Sequence, residues 1–344
     1  MRFSVVIPVY NGAAFLRRCL ATLTASHFRD FEILVVDDGS SDDSREVAES
    51  YGAQVVVLEQ RGGPARARNH GARRARGEYL VFFDADVCVH ADTLALLDAH
   101  FRAVPDAAAV IGSYDDAPAD RSFVSQFRNL LHHFVHQRSR KEAWTFWAGC
   151  GAIRRELFLA RGGFDERYTR PCIEDIELGA RLAMAGERID LDPAIQVTHL
   201  KRWTLGSMVR TDLFDRAVPW LVLMLRTRRM PPDLNVTHVH RLSVALVWLL
   251  LLGLIVLLAA LVALSKAAMA AALSMILPIV AVLLALNLDL YRYLARKRGW
   301  RFALGAVPLH WLYYFYCGLG VILGVLAYLT SPAIRPVPRR IDER

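Results

Sequence analysis

Residues 31–42 read FEILVVDDGSSD, an apolar and largely β-branched run that ends abruptly in paired carboxylates, a glycine and two serines. Such a run reads as a buried strand, Phe31–Asp37, and its polar end as the turn that follows. The pattern recurs on both sides. Phe3–Val9 runs into Tyr10, Asn11 and Gly12, residues 53–58 form another short apolar run, and Tyr79–Phe83 ends in Asp84-Ala85-Asp86. Helical patterns lie between. Phe15, Leu16, Leu20 and Leu23 recur at helical spacing, residues 64–76 form an alanine- and arginine-rich helix opened by Pro64, and Asp42 or Ser41 caps a helix running toward Tyr51. Strands alternating with helices of this length predict βαβ units and a largely parallel sheet covered on both faces. Ligands of such sheets gather at the carboxyl ends of the strands.

The polar residues fall where that rule places a site. Taken alone, Asp-Gly-Ser is a capped turn, and Asp86 also fits an N-cap of the helix through residues 94–100. Taken together, Asp37, Asp38, Asp84 and Asp86 concentrate negative charge at one sheet edge, which calls for a cation or for hydrogen-bond donors to offset it.

The ordered set VVIPVYN (5–11), VVDDGSSD (35–42), ARN-H-G (67–71) and FFDAD (82–86) resembles the family 2 glycosyltransferases of the GT-A fold, over roughly the first 200 residues. The resemblance implies a mixed, mostly parallel α/β sheet that binds a nucleotide-diphosphate sugar. It implies that Pro8, Tyr10 and Asp38 hold the nucleoside, with Asp38 accepting a hydrogen bond from the base. It sets Arg68 near the base and diphosphate and Asp84 against the ribose, and makes Asp86 a ligand of Mg²⁺ or Mn²⁺. A nucleoside diphosphate gathers negative charge as it leaves, and a carboxylate-held divalent cation neutralises it without proton transfer.

Further along, residues 147–155 (WAGCGAIRR) resemble the family's glycine-containing strand, and GGFDE (162–166) resembles the loop before its general base. By that resemblance Asp175 is the base, with Glu174 beside it on the acceptor side. Two acids opening a helix over residues 176–185 also simply favour its macrodipole. His199, after a strand over residues 194–198, matches a further metal ligand of some relatives and also reads as a structural histidine. Lys201-Arg202-Trp203 is similar to the Arg-Trp of processive polysaccharide synthases and sets Arg202 and Trp203 on the acceptor side. The wider Gln-x-x-Arg-Trp pattern is absent, since Gln196 lies six residues before Arg202. His132, His133 and His136 share one helix, where the spacing permits a metal pair and equally suits packing.

Composition changes sharply along the 344 residues. Residues 1–204 mix charge and apolar character as a soluble domain does. Residues 205–241 set Arg210, Arg216, Arg226, Arg228 and Arg229 among apolar residues, as an amphipathic helix or two at a membrane interface would. Residues 242–330 hold three charge-free runs (243–264, 267–288 and 303–329), each as long as the roughly 20 residues a helix needs to span a bilayer. A tail, 331–344, follows. With hydrophobic residues at 54% and charged residues at 22%, neither disorder nor a nucleic-acid partner fits, so the net charge of +8 points to a membrane surface or a phosphorylated substrate. Five scattered cysteines without a CxxC pair favour a reducing compartment. The opening apolar run is too short for a signal peptide, which predicts a multi-pass inner-membrane protein with its catalytic domain in the cytoplasm. Arg292, Arg296, Lys297, Arg298 and Arg301, in the loop between the second and third runs, agree, and only Lys266 marks the outer turn. Arg335, Arg339, Arg340 and Arg344 do not, unless the third run turns back near Pro308.

The sequence therefore reads as a metal-dependent, inverting glycosyltransferase whose acceptor is a hydroxyl of a lipid-linked saccharide or glycolipid. A polyprenyl-phosphate glycosyl synthase is the enzymatic alternative, since an ionised phosphate needs no base. A non-catalytic sugar-nucleotide-binding membrane module is the other.

Overall fold

A computed structural model describes residues 1–228 and 234–330. Arg229 and the tail, 331–344, lie outside the described residues. The chain divides after Thr204 into two compact units.

In the first unit, β1 (Phe3–Val9), α1 (Ala13–Thr24), β2 (Phe31–Asp37), α2 (Ser44–Ser50), β3 (Gln54–Val57), α3 (Pro64–Arg74) and β4 (Tyr79–Phe83) alternate strictly. There follow β5 (Val87–Val89), α4 (Thr93–Ala103), β6 (Ala109–Tyr114), α5 (Phe123–Arg138), β7 (Cys150–Arg154), α6 (Arg155–Ala160), α7 (Glu174–Met184) and β8 (Ile189–His199). The strands form one sheet in the order β3-β2-β1-β4-β7-β6-β8-β5. The β3-β2-β1-β4 half is parallel, β7 runs against both β4 and β6, and β8 is parallel to β6 but antiparallel to β5. The central strands are mostly apolar because both faces are covered, with Ser4 and Glu32 hydrogen-bonded to each other near their starts. Val5, Ile7 and Val35 join the core that includes Leu16, Leu20 and Leu23 of α1. Val6 and Val36 face the other way, onto α3, where a Cβ at Gly71 would lie 2.5 Å from Val6 and 3.0 Å from Val36. That glycine lets α3 settle on the sheet and brings its N-terminal turns to the strand ends.

Some sequence boundaries change. Residues 75 and 76 leave α3, because Ala75 is extended and the Arg76 amide donates to Glu32. The N-cap of α2 is Asp43, not Asp42 or Ser41; Asp42 accepts from the Ser44 amide (3.2 Å) one residue ahead of the cap, and Ser41 donates to Asn11. The helix after Asp86 begins only at Thr93, so Asp86 is not its cap. β8 starts five residues before the expected 194 and accommodates Asp190 and Asp192, which pair with His100.

The second unit is helical. α8 (Leu205–Arg210), a π-helical stretch (Thr211–Ala217) and α9 (Val218–Thr227) follow one another directly. A short 3₁₀ turn, Leu234–Val236, leads into α10 (His238–Val262), α11 (Lys266–Leu286), α12 (Leu288–Arg298) and α13 (Trp300–Thr330). Among the described residues α10, α11 and α13 are long and apolar enough to cross a membrane. α13 runs unbroken through Pro308, so the chain does not turn back there. Its 31 residues span ~46 Å at 1.5 Å per residue. The basic stretch expected as a loop is mostly α12, because Leu290, Tyr291 and Leu294 form a buried stripe opposite Arg292 and Arg296. Two α13 glycines permit close packing. A Cβ at Gly320 would lie 2.6 Å from Ala217, and one at Gly324 would lie 2.8 Å from Leu221. Nearby, the Tyr316 hydroxyl donates to the buried Asp212 carboxylate at 2.8 Å.

Candidate functional site

The carboxyl ends of β1, β2 and β4 lie side by side, and each delivers a polar turn to the same edge. After β1, Asn11 adopts φ +47°, a left-handed geometry its short amide tolerates. It ties its turn to the next: the Asn11 amide donates to Ser40 Oγ (2.9 Å) and Asn11 Oδ1 accepts from the Ser41 amide (2.7 Å). Pro8, next to last in β1, is half-buried, and Tyr10 is 41% exposed.

The paired carboxylates after β2 have different surroundings. Asp37 is buried, accepts from the Ser40 amide at 2.8 Å and pairs with Arg45. Burial pushes its carboxyl up, but Ser40 and Arg45 prevail and hold it below the usual range. It organises its own turn. Asp38, only 4% exposed, accepts from two consecutive amides, Gly62 (2.7 Å) and Gly63 (2.8 Å). Gly63 has φ +86°, and a Cβ there would lie 2.4 Å from the Thr169 carbonyl. Asp38 thus pins the loop that feeds α3, and that loop rests on the backbone ahead of α7. The same loop lays the Arg61 guanidinium 3.8 Å from the Tyr10 ring centre, a stacking contact with no periodic signal in the sequence.

Arg68, on the first turns of α3, is buried. Its Nη2 donates to Asp84 Oδ1 (2.6 Å), its Nη1 donates to Glu174 Oε1 (2.9 Å), and its Nε meets no acceptor among the described residues. Next to it, Asn69 pairs with both backbone groups of Phe164, at 2.9 Å each, and so fastens the 162–166 loop to α3. Burial raises the Asp84 carboxyl above the usual range, with Arg68 opposing and Asp86 adding to the rise.

Asp86 lies in the turn between β4 and β5. Because Val87 pairs with His199, the β5–β8 ladder sets the Asp86 carboxylate beside the His199 ring, with Oδ2 and Nε2 3.7 Å apart. Against its burial, His199 and then Lys201 hold the Asp86 carboxyl below the usual range. Tyr114, at the end of β6, stacks on His199 at 4.3 Å. No third His, Cys, Asp or Glu among the described residues completes a metal cage here. One carboxylate and one imidazole leave most positions of an octahedral Mg²⁺ or Mn²⁺ to phosphate oxygens and water, so this pair suits a cation shared with a diphosphate ligand.

Asp175 sits in the first turn of α7, where Oδ1 accepts from the Ile176 amide (2.8 Å) and Oδ2 from the Ala148 amide (3.2 Å). Glu174, although adjacent in sequence, turns inward to Arg68. Trp203 is buried 6.4 Å from the His199 ring, its amide donating to Ser125 Oγ at 2.7 Å, while the Arg202 side chain is 75% exposed and 4.0 Å from Asp120. Trp203 thus lies against both α5 and the His199 ring, while Arg202 reaches toward Asp120. On α5, His133 and His136 donate to the carbonyls of Tyr114 (2.7 Å) and Gly112 (2.9 Å), which fastens the helix to β6 in place of a metal pair. Burial pushes the His136 imidazole down to about 4, so it is neutral at physiological pH. Tyr114, Arg61 and the inward Glu174 are contacts that sequence reasoning missed. Only the position of Tyr114 at a strand end offered a signal.

Residues 4–161 match the family model described as glycosyl transferase family 2. The chain is 35% identical over 218 residues to validoxylamine A glucosyltransferase of Streptomyces hygroscopicus subsp. jinggangensis, covering 53% of this chain and 51% of that one. It is 35% identical over 116 residues to glycosyltransferase GlyG of Streptococcus pneumoniae, covering 32% and 38%. The chain thus spans about half or less of the length of these curated relatives. In fold it is similar to mannosyltransferase PcManGT from Pyrobaculum calidifontis, solved with GDP-Man and Mn²⁺, with a TM-score of 0.57 at 21% identity over 96% of this chain and 87% of that chain.

Proposed function

We propose, from the match of residues 4–161 to the glycosyl transferase family 2 model, that the protein transfers a sugar, with inversion, from a nucleotide-diphosphate sugar to a hydroxyl of a lipid-linked saccharide or glycolipid. The observation that carries this reading is the meeting, at one sheet edge, of a polar turn set (Pro8, Tyr10, Asp38), the Arg68–Asp84 pair and the Asp86–His199 pair. Tyr10, with Arg61 over one face, offers its ring for a base to stack on, and Asp38, which already accepts from the Gly62 and Gly63 amides, is the acceptor for the base. Asp84, a third exposed at its side chain, is the carboxylate available to a ribose hydroxyl. Asp86 and His199 would hold Mg²⁺ or Mn²⁺, which when bound supplies positive charge against the diphosphate. Asp175 accepts the proton of the acceptor hydroxyl as its oxygen bonds to the anomeric carbon. The bond from that carbon to the diphosphate oxygen breaks, and its electron pair leaves with the nucleoside diphosphate.

We further propose that α10, α11 and α13 span the cytoplasmic membrane with the first unit on the cytoplasmic side, in the service of cell-envelope polysaccharide or glycolipid synthesis. Arg226 and Arg228 before α10, Arg241 in its first turn, and the basic face of α12 before the third span support that side.

The test is calorimetric binding of UDP, GDP and dTDP to the full chain in detergent, with and without Mn²⁺. One of the three should bind in a Mn²⁺-dependent manner, and Asp86→Ala should abolish the dependence while leaving the melting temperature close to wild type. Nucleotide binding that ignores both Mn²⁺ and Asp86 would remove the pair from the site.

A further inference from the structure

Glu174 and Asp175 adjoin in sequence, yet they serve different partners. Asp175 accepts from the Ala148 and Ile176 amides at the start of α7. Glu174 is 4% exposed and both its oxygens are engaged inward: Oε1 accepts from Arg68 Nη1 and Oε2 from the Cys172 amide, each at 2.9 Å. Through Arg68, which is equally buried, it continues to Asp84 at 2.6 Å. A bridge of two carboxylates and one guanidinium therefore joins the turn after β4 to the first turn of α7.

The charges explain why the bridge needs two acids. A buried guanidinium must keep a counter-charge, because stranding it costs far more than an ordinary hydrogen bond. Asp84 is the more exposed partner, with 34% of its side chain accessible against 5% for Glu174. If Asp84 alone balanced Arg68, it could not turn to a ligand hydroxyl without leaving the cation bare. Glu174 supplies a second negative charge that never has to leave.

We infer that Glu174 is a positioning residue of the donor half of the site, holding Arg68 so that Asp84 is free to exchange its Arg68 contact for the sugar nucleotide. It acts through Arg68 and touches no reacting atom. The inference rests on the donor site proposed above, and it moves Glu174 away from the acceptor side where sequence adjacency to Asp175 had set it.

The test measures the affinity of the full chain in detergent for UDP, GDP and dTDP with Mn²⁺, so that no acceptor is required. Glu174→Gln keeps the shape but offers one acceptor where two N–H donors need one each, so one contact of the bridge must fail. Nucleotide binding should weaken on the order of tenfold or more. Glu174→Asp, which keeps the charge, should recover part of that loss, and remains informative if the Gln variant fails to fold. Arg68→Lys combined with Glu174→Gln should bind no worse than the weaker single variant, because both act through one bridge. A role confined to stability would lower the melting temperature and leave the dissociation constant of the folded protein unchanged. Wild-type affinity in Glu174→Gln, or losses that simply add in the double variant, would overturn the inference. A wild-type chain that binds none of the three nucleotides overturns the donor reading itself, and this inference with it.

Discussion

Replacing Asp175 by asparagine separates proton acceptance from every other contribution of that position. The structure sets the expected costs. Asp175 accepts two amide protons, from Ala148 and Ile176, and an asparagine side chain has one oxygen to offer them. One neutral contact is lost, at about 1 kcal/mol. Removing a charge from the first turn of α7 forfeits a further ~0.3–1 kcal/mol of interaction with the helix dipole. Folding stability should therefore fall by about 1–2 kcal/mol, which leaves most of the protein folded. The chemical step loses much more. An alcohol at neutral pH is almost wholly protonated, and attack without a base forfeits roughly 10²–10⁴-fold in rate, or about 3–5 kcal/mol of barrier. The assay compares initial rates of nucleotide release from the sugar nucleotide, with native lipid extract as acceptor, alongside thermal melting. Turnover within a few-fold of wild type would refute the hydroxyl-acceptor account. It would favour a phosphate acceptor, whose second pKa near 6 leaves it mostly ionised without a base.

Three other outcomes follow from separate features. His100 donates from both ring nitrogens to Asp192 and Asp190 (3.0 Å each), with Arg188 on Asp190 and Lys141 near Asp192, and the hydrogen bond to Asp192 leads in raising its pKa above 6.5 despite burial. A raised folded-state value stabilises below the unfolded one and is lost as pH rises through the folded one, so His100→Gln should cost more melting temperature at about pH 5.5 than at about pH 8.5; an equal cost at both would sink the clamp. Gly320→Val forces a side chain into the 2.6 Å gap to Ala217 and should destabilise the helical unit by about 1–3 kcal/mol, read as a lower melting temperature in detergent, whereas an unchanged one would mean the gap opens freely. A cysteine replacing Arg298, at the end of α12, should resist an impermeant thiol reagent applied outside intact cells, and labelling there would reverse the proposed orientation.

Local signals carried much of this fold and lost it where distant partners decide. β1, β2 and β4 were legible to the residue because largely apolar runs end at once in turn residues. β8 was legible only from Ala194, since Asp190 and Asp192 read as loop until His100 and Arg188 offset their charge. α12 read as a loop because its basic residues hid a three-residue apolar stripe that has meaning only against α13. At the candidate site, the acids at strand ends were legible because short turn-forming motifs announce them. Which of them face ligand was not. Asp37 and Asp38 are neighbours, yet one closes its own turn and the other pins a loop about 25 residues on. Glu174 and Asp175 divide in the same way, and no periodicity in the sequence distinguishes them.

The most direct test of the central claim is product analysis. The full chain in lipid nanodiscs, with Mn²⁺ and native lipid extract, is given UDP-, GDP- and dTDP-linked sugars in turn, and lipids and nucleotides are read by mass spectrometry. The account predicts that one donor yields a lipid heavier by a single glycosyl unit together with an equal amount of nucleoside diphosphate, and that Asp86→Ala yields neither. A chain that binds a nucleotide sugar yet releases no nucleoside diphosphate from any donor, to lipid or to water, would contradict it and leave a binding module in place of an enzyme.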